Sequence, residues 1–216
     1  MNLSKRLMSV ATLVDIGVTV IDVGCDHAYL DIFLTQNNNN KCIATDVNEN
    51  ALNGAKYNIE KYNLKDKIEV KLTDGLKDIK VNKNDTIVIS GMGTHTILNI
   101  LNTNKLSDTL IISSNNDIEM LRREVVKLGY IIDTEIFLID KGKPYIIIKF
   151  KKGVKEYKKI DYVLGPILKN NNQYKKYLIK KYNKVLNNIN KNKILLRLKY
   201  KLEIIKLKYL VKFNIF

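Results

Sequence analysis

Cysteine and histidine are scarce in this sequence, and their scarcity excludes several kinds of chemistry. The chain of 216 residues has two of each. Cys25 and Cys42 form no CxxC pair, and with His27 and His95 they make no Cys/His cluster, so neither a disulfide framework nor a zinc site is expected, and no metal. No apolar run approaches the about 20 residues that cross a membrane. Lys5 and Arg6 precede MSVATLV in the manner of a leader, but Asp15 interrupts that run and no small-residue cleavage site follows. It reads instead as a first helix, in a cytoplasmic protein with no membrane partner.

Acidic residues are also missing from one end. Residues 1–150 hold 18 Lys and Arg against 19 Asp and Glu, whereas 151–216 hold 19 against 3. A general lysine bias would have raised both parts. The net charge of +15, with a pI near 9.6, therefore sits in a C-terminal module. The split points to a polyanionic partner for residues 156–216 and a separate domain over 1–155, although a lysine-rich face can also be merely solvated. At 45% hydrophobic and 27% charged, the chain has enough apolar matter for a sizeable core.

Strand-like and helix-like stretches alternate through the first part. LSKRLMSVATLV has helical spacing with Ser4 as a cap. Strands are expected at Val18–Gly24, Cys42–Asp46, Lys67–Leu72, Asp85–Gly91 and Thr109–Ser114. Helices follow them from Ala28, from Asn48 through Tyr62, from about Thr94, and up to Leu128. Two last strands, near Ile131–Ile139 and Tyr145–Phe150, have only a Lys141-Gly142 turn between them. Alternation of this kind means an α/β fold with a parallel sheet, and the closing hairpin inserts an antiparallel last strand. That Rossmann-like order resembles class I S-adenosylmethionine-dependent methyltransferases more than dehydrogenases.

The C-terminal part reads as almost pure helix. Leu178, Tyr182, Val185 and Ile189 form one stripe, and Leu195, Leu198, Leu202, Ile205 and Tyr209 a second. The two are expected to pack as an antiparallel, coiled-coil-like hairpin joined by NNINKNK.

Glycine is lacking where a dinucleotide would need it most. VIDVGCDHAYL, Val20 to Leu30, opens as an apolar strand ending in an acid and a glycine. A pyrophosphate site needs several glycine amides at a helix N-terminus, and only Gly24 is present. Asp22 and Asp26 would repel phosphates, but they suit a sulfonium and an ammonium. Asp26 as a simple helix cap is the plain alternative. Three further features sit at strand ends. Asp46 can accept ribose hydroxyls, Asp74-Gly75 can take an adenine amino group, and Gly91-Met92-Gly93 allows close backbone approach near a reacting methyl. Each alone is commonplace; four at successive strand ends are not.

SKRL (Ser4–Leu7), DVGCDHAYL (Asp22–Leu30), Asp46, Asp74-Gly75, GMG (Gly91–Gly93), Ser114-Asn115 with Arg122, and LGP (Leu164–Pro166) together resemble the bacterial tRNA (adenine(22)-N(1))-methyltransferase family, in order and over nearly the whole chain. Departures are Cys25 for a common Ser, Asp31 for a usual Pro, Asp46 for a frequent Glu, Thr94 for a Gly, and Ser114 for a Pro. The resemblance implies a methyltransferase domain followed by a small helical coiled-coil domain. It also implies S-adenosyl-L-methionine as cofactor and tRNA as partner. Cofactor contacts are expected at Asp22, Gly24, Cys25, His27, Asp46, Val47, Asp74, Gly75, Gly91, Met92 and Gly93. Asp26, Tyr29 and Asn115 are the candidates on the substrate side. Arg6, Arg122, Lys175, Lys176, Lys180, Lys181 and Lys184 are the candidates for RNA, with Arg6 equally suited to the cofactor carboxylate. A non-catalytic RNA-binding protein on this fold, or a methyltransferase with another substrate, is the competing expectation. A monomer is favoured.

Overall fold

A computed structural model describes residues 2–103 and 105–213, with the backbone alone at Leu210, Lys212 and Phe213. The chain divides into two compact units, Met1–Tyr157 and Lys158–Phe216.

In the first unit, α1 (Lys5–Ala11) starts at Ser4, whose hydroxyl accepts the Leu7 amide. β1 (Thr19–Val23), β2 (Lys41–Asp46) and β3 (Ile68–Leu72) alternate with α2 (Tyr29–Asn38) and α3 (Glu49–Lys61). Asn39 stops α2 in a left-handed conformation, a role that asparagine's short polar side chain tolerates. Asn40 is buried and ties the carbonyls of Asp15 and Val18, so the last residue of the four-asparagine run is a clamp rather than a loop residue. Asn48 caps α3 by accepting the Asn50 amide.

β4 (Thr86–Met92), α4 (Thr94–Leu101), β5 (Thr109–Ser114) and α5 (Ile118–Lys127) follow, then the hairpin of β6 (Tyr130–Asp140) and β7 (Lys143–Lys152). Lys141 and Gly142 both take positive φ, 48° and 78°, as a two-residue hairpin turn requires. The sheet order is β3-β2-β1-β4-β5-β7-β6. β7 runs antiparallel to both β5 and β6, and the other neighbouring pairs are parallel. The hairpin thus inserts its second strand beside β5, as the absence of a helix there leads one to expect.

Central strands buried on both faces read as continuous apolar runs. Ile87, Val88 and Ile89 of β4 and Leu110, Ile111 and Ile112 of β5 are all fully buried. One core lies under α1, α2 and α3 around Val10, Ile32, Leu52 and Val88. The other lies under α4 and α5 around Ile21, Ile97, Leu121 and Phe150. At about 25 cal/mol per Å² of apolar area removed from water, these two layers supply most of what offsets chain entropy.

The second unit holds α6 (Lys159–Leu164), a 3-10 turn (Leu168–Asn170), α7 (Asn172–Asn188) and α8 (Ile194–Phe213). Asp161 accepts from the Lys158 amide and Lys169 Nζ, tying α6 to the turn. On α7 the expected stripe faces inward, with Leu178 buried and Tyr182, Val185 and Ile189 partly so. On α8 it does not. Leu195, Leu198, Leu202, Ile205 and Tyr209 are exposed, while Ile204 and Leu207 are buried. Arg197 and the Tyr182–Tyr200 pair fix this rotation. Arg197 donates to the carbonyls of Leu186 and Ile189 at the open C-terminal end of α7, and the two tyrosine rings meet edge to face at 5.5 Å. A polar hold on orphan carbonyls chose the seam over the leucine stripe.

Candidate active site

The carboxyl ends of β1, β2, β4 and β5 lie together because parallel strands in adjacent register finish on the same edge. Gly24 follows β1 at φ 79°, and its amide and that of Cys25 both donate to Thr45 O of β2. That left-handed φ favours glycine, and an added Cβ would also press on the end of the Met92 side chain, 2.4 Å from its Cε.

Asp26 and Ala28 then take positive φ, 53° and 56°. Two non-glycine residues in this region are a local strain of the kind found at functional loops. Ala28, not Asp26, occupies the N-cap of α2, and no side chain caps that helix. The capping alternative for Asp26 therefore fails, and its carboxylate stands exposed. Its amide instead donates to Asp46 Oδ2, while Asp46 Oδ1 accepts the Asn48 amide. Asp46 thus braces the loop from the end of β2, with Val47 exposed beside it.

His27 leans on α3. A Cβ at Gly54 would meet its Nδ1 at 2.5 Å, so the missing side chain is the imidazole's seat. Asn58 Nδ2 holds the His27 carbonyl, His27 Nε2 lies 3.6 Å from Asp26 Oδ1, and the Tyr29 ring is 5.7 Å away.

Across the cleft, the β4–β5 pairing shifts register between Ser90 and Met92, with Gly91 at φ 93°. This bulge re-aims the Gly91-Met92-Gly93 segment over the strand ends. Asn115 secures it: its amide donates to Met92 O and its Nδ2 to Gly91 O. Thr94, buried at the start of α4, joins Ser114 Oγ and Asn116 O through its hydroxyl, and its amide donates to Asn116 Oδ1. The hydroxyls at Thr94 and Ser114 are thus both used to stitch this loop to β5.

Arg6 completes the wall. Its guanidinium donates to Ser90 Oγ and stacks 5.6 Å from the Tyr145 ring centroid, and its amide donates to Asp140 Oδ2. Arg6 lines a cleft of about 60 Å³ with Asp22, Gly24, Cys25, Asp26, His27, Tyr29 and Ser90. Arg6 therefore stands at the strand ends beside the loop after β1. Asp74 stands at the end of β3, exposed and paired with Lys77 at 2.6 Å, and Gly75 takes φ 66° against Ile100. His95 is exposed on α4, outside the residues that line the cleft.

Two RNA candidates do not survive. Arg122 is 0% exposed and pairs with buried Glu135 at 2.7 Å, so its charge serves the core between α5 and β6. Lys175 is 3% exposed, and burial pulls its ammonium below the usual lysine range. Lys176, Lys180, Lys181 and Lys184 are exposed on α7. Sequence reasoning missed Gly54 and Asn116, and it saw Ser90 only as the residue ahead of the Gly91–Gly93 loop. Only Gly54 gave a signal, as a helix-interior glycine, which costs stability unless something needs the space.

The cleft fits S-adenosylmethionine on its own chemistry. Three carboxylates, Asp22, Asp26 and Asp46, surround a loop with one glycine, which suits a cation and not a pyrophosphate. Among the described residues, no group of three or more His, Cys, Asp or Glu is placed to hold a metal ion.

Comparison with known proteins agrees. Residues 3–148 match a methyltransferase domain family. The chain is 34% identical over 158 residues to the tRNA (adenine(22)-N(1))-methyltransferase of Bacillus subtilis, a match spanning 71% of this chain and 66% of that enzyme. It is 32% identical to M. capricolum TrmK, solved with S-adenosylhomocysteine, over 97% of this chain and 98% of that one, at a TM-score of 0.83. A Streptococcus pneumoniae structure in complex with S-adenosyl-L-methionine is 30% identical over 97% and 100% of the two chains, at 0.85. From its acid-lined strand ends to its helical second unit, the chain belongs to the tRNA (adenine(22)-N(1))-methyltransferase family of class I S-adenosylmethionine-dependent enzymes.

Proposed function

We propose that the protein transfers a methyl group from S-adenosyl-L-methionine to N1 of an adenine in tRNA, at position 22 as in its Bacillus subtilis relative. The observation that carries this is the cleft itself: acids at successive strand ends, held by a strained loop, in a chain of this family.

Asp22, Gly24, Asp46 and Asp74 would hold the cofactor, with Cys25, His27, Val47, Gly75 and the Gly91–Gly93 loop around it. Arg6 would meet its carboxylate. Bound S-adenosylmethionine supplies an electrophilic methyl group. Adenine N1 is neutral with a free lone pair, so the chain needs no base to activate it. The work of the protein is positioning and electrostatic support. Asp26, exposed at the mouth, offsets the positive charge that the methylated base acquires. Tyr29 and Met92 form apolar walls for a base turned out of its stack. Asn115, anchored through Nδ2, offers Oδ1 to the exocyclic amino group.

The second unit serves as the RNA grip. Lys176, Lys180 and Lys184 recur every four residues on exposed α7, with Lys181 beside them, and supply sequence-independent phosphate contacts. Residues 1–155 are then the catalytic domain and 156–216 the tRNA-binding domain. The protein is proposed to act as a cytoplasmic monomer, and the charges beside the exposed face of α8 support the monomer. Its apolar stripe is flanked by Lys199, Lys201, Lys206 and Lys208, which would oppose one another in a self-paired coiled coil.

Incubation with labelled S-adenosylmethionine and unmodified tRNA, followed by nucleoside mass analysis, tests the reading. N1-methyladenosine is the expected product; label in another nucleoside, or none in tRNA, would sink it.

A further inference from the structure

Arg6 is a cation among acids, yet its side chain pairs with none of them. It lines the cleft with Asp22 and Asp26, and among the described residues its guanidinium forms no ion pair. The contacts it makes are to neutral groups. Ser90 Oγ of β4 accepts from Nη1, and the Tyr145 ring of β7 has its centroid 5.6 Å from the guanidinium carbon. Asp140 touches Arg6 only through the main chain, where its carboxylate accepts the Arg6 amide at 3.1 Å. That amide is one of the orphan donors in the first turn of α1, so Asp140 secures the helix end and leaves the side chain alone.

An arginine beside two acids ordinarily closes on one of them through charge-assisted N–H···O bonds. Such a collapse would defeat this site. The amino-acid end of the methyl donor carries a carboxylate and an ammonium, and its sulfonium is a second cation. A cleft for it must offer positive and negative groups side by side without letting them neutralise each other. A hydroxyl and an aromatic face can hold a guanidinium without cancelling its charge. The hydroxyl takes an N–H, and the ring attracts the cation through its quadrupole.

We propose that Ser90 and Tyr145 hold Arg6 off Asp22 and Asp26, and so keep its charge open for the carboxylate of the methyl donor. The proposal rests on the cofactor reading of the cleft. None of the residues that line the cleft comes from the β6–β7 hairpin. Tyr145 is therefore a positioning residue, which acts on the donor only through Arg6. It gives the inserted strand a part in the site that its place beyond β5 would not otherwise supply.

Two ligands that differ in one group test this on the full chain: S-adenosyl-L-methionine and decarboxylated S-adenosylmethionine. Titration calorimetry gives the ratio of their affinities. The wild type should favour the intact donor by roughly tenfold or more, as loss of a charge-assisted hydrogen bond implies. Tyr145→Leu keeps apolar bulk but has no ring. It should weaken the intact donor by roughly threefold to tenfold and leave the decarboxylated one within about twofold. Tyr145→Phe should restore the wild-type ratio, because the contact with Arg6 is to the ring. Ser90→Asp should lower the ratio, because a charged anchor grips Arg6 harder and neutralises it. A wild-type ratio near one overturns the proposal and leaves the cofactor reading standing. Equal losses of both ligands in Tyr145→Leu would make the ring a structural support only, and overturn it too. No binding of either ligand by the wild type overturns the cofactor reading and the proposal together. Where Tyr145→Leu folds poorly, the ratio in Ser90→Asp decides, and an unchanged ratio there counts against the proposal.

Discussion

Gly54 and His27 fit together as seat and occupant: a Cβ on Gly54 would stand 2.5 Å from His27 Nδ1. A substitution on α3 therefore reaches the cleft without touching it. Gly54→Ala should help the helix by roughly 0.5–1 kcal/mol while displacing the imidazole. Methylation should fall, and His27→Ala should cost little more in the Gly54→Ala background than Gly54→Ala alone. A double-mutant cycle on kcat/KM checks this; strictly additive losses would separate the two residues.

Asp26→Ala should slow methyl transfer by at least about tenfold, if its carboxylate supports the cationic product, while cofactor affinity stays within a few fold. Single-turnover rates and calorimetry on the same preparation make the comparison. Wild-type turnover would remove Asp26 from the chemistry.

Arg122→Met should take the guanidinium away from buried Glu135. The expected loss is about 3–5 kcal/mol in urea unfolding, with much of it recovered in Arg122→Met/Glu135→Leu. The second variant should bind tRNA as the wild type does, because neither side chain reaches the surface.

Lys176→Ala, Lys180→Ala and Lys184→Ala should each weaken tRNA binding and lower the salt slope of log affinity by roughly one or less. Lys175→Ala should leave the slope unchanged, since its ammonium is buried. Filter binding across a salt series measures both. Equal slopes for all four variants would move the RNA grip elsewhere.

Stability should also depend on pH through the buried acids. Asp31 titrates near 7 in the folded chain, against about 4 for an ordinary aspartate, so its protonated form favours the fold. That contribution is complete below about pH 4 and fades as pH rises through about 7. Between about pH 5 and about pH 8, the Tm of the wild type should fall relative to that of Asp31→Asn. Parallel melting curves over that range would contradict it.

Much of this arrangement was legible in the residues. Alternating apolar runs gave the strands, and the lone Lys141-Gly142 turn gave the inserted antiparallel strand. Cofactor chemistry could be read from where acids replace glycines around Gly24. What local pattern could not show is what distant chain does to a residue. Arg122 looked like an RNA arginine until Glu135, across on β6, claimed it. The leucines of α8 made the better heptad on paper, yet two carbonyls of α7 outbid them through Arg197. Asp31 stood out only as a departure from a usual Pro, and nothing local showed that α2 would bury it completely.

Arg6 is made sixth and finished late. Ser90 of β4 is one anchor, but the other two, Asp140 and Tyr145, lie on the closing hairpin, with Asp140 134 residues further along the chain. A nascent chain that has passed β5 already owns the loop after β1, the brace at Asp46 and the clasp of Asn115. It still lacks two of the three groups that hold the arginine wall in place. The order of synthesis thus builds the floor of the cleft first and its gatepost last, and a fragment that stops before the hairpin carries every strand-end acid in an unfinished room.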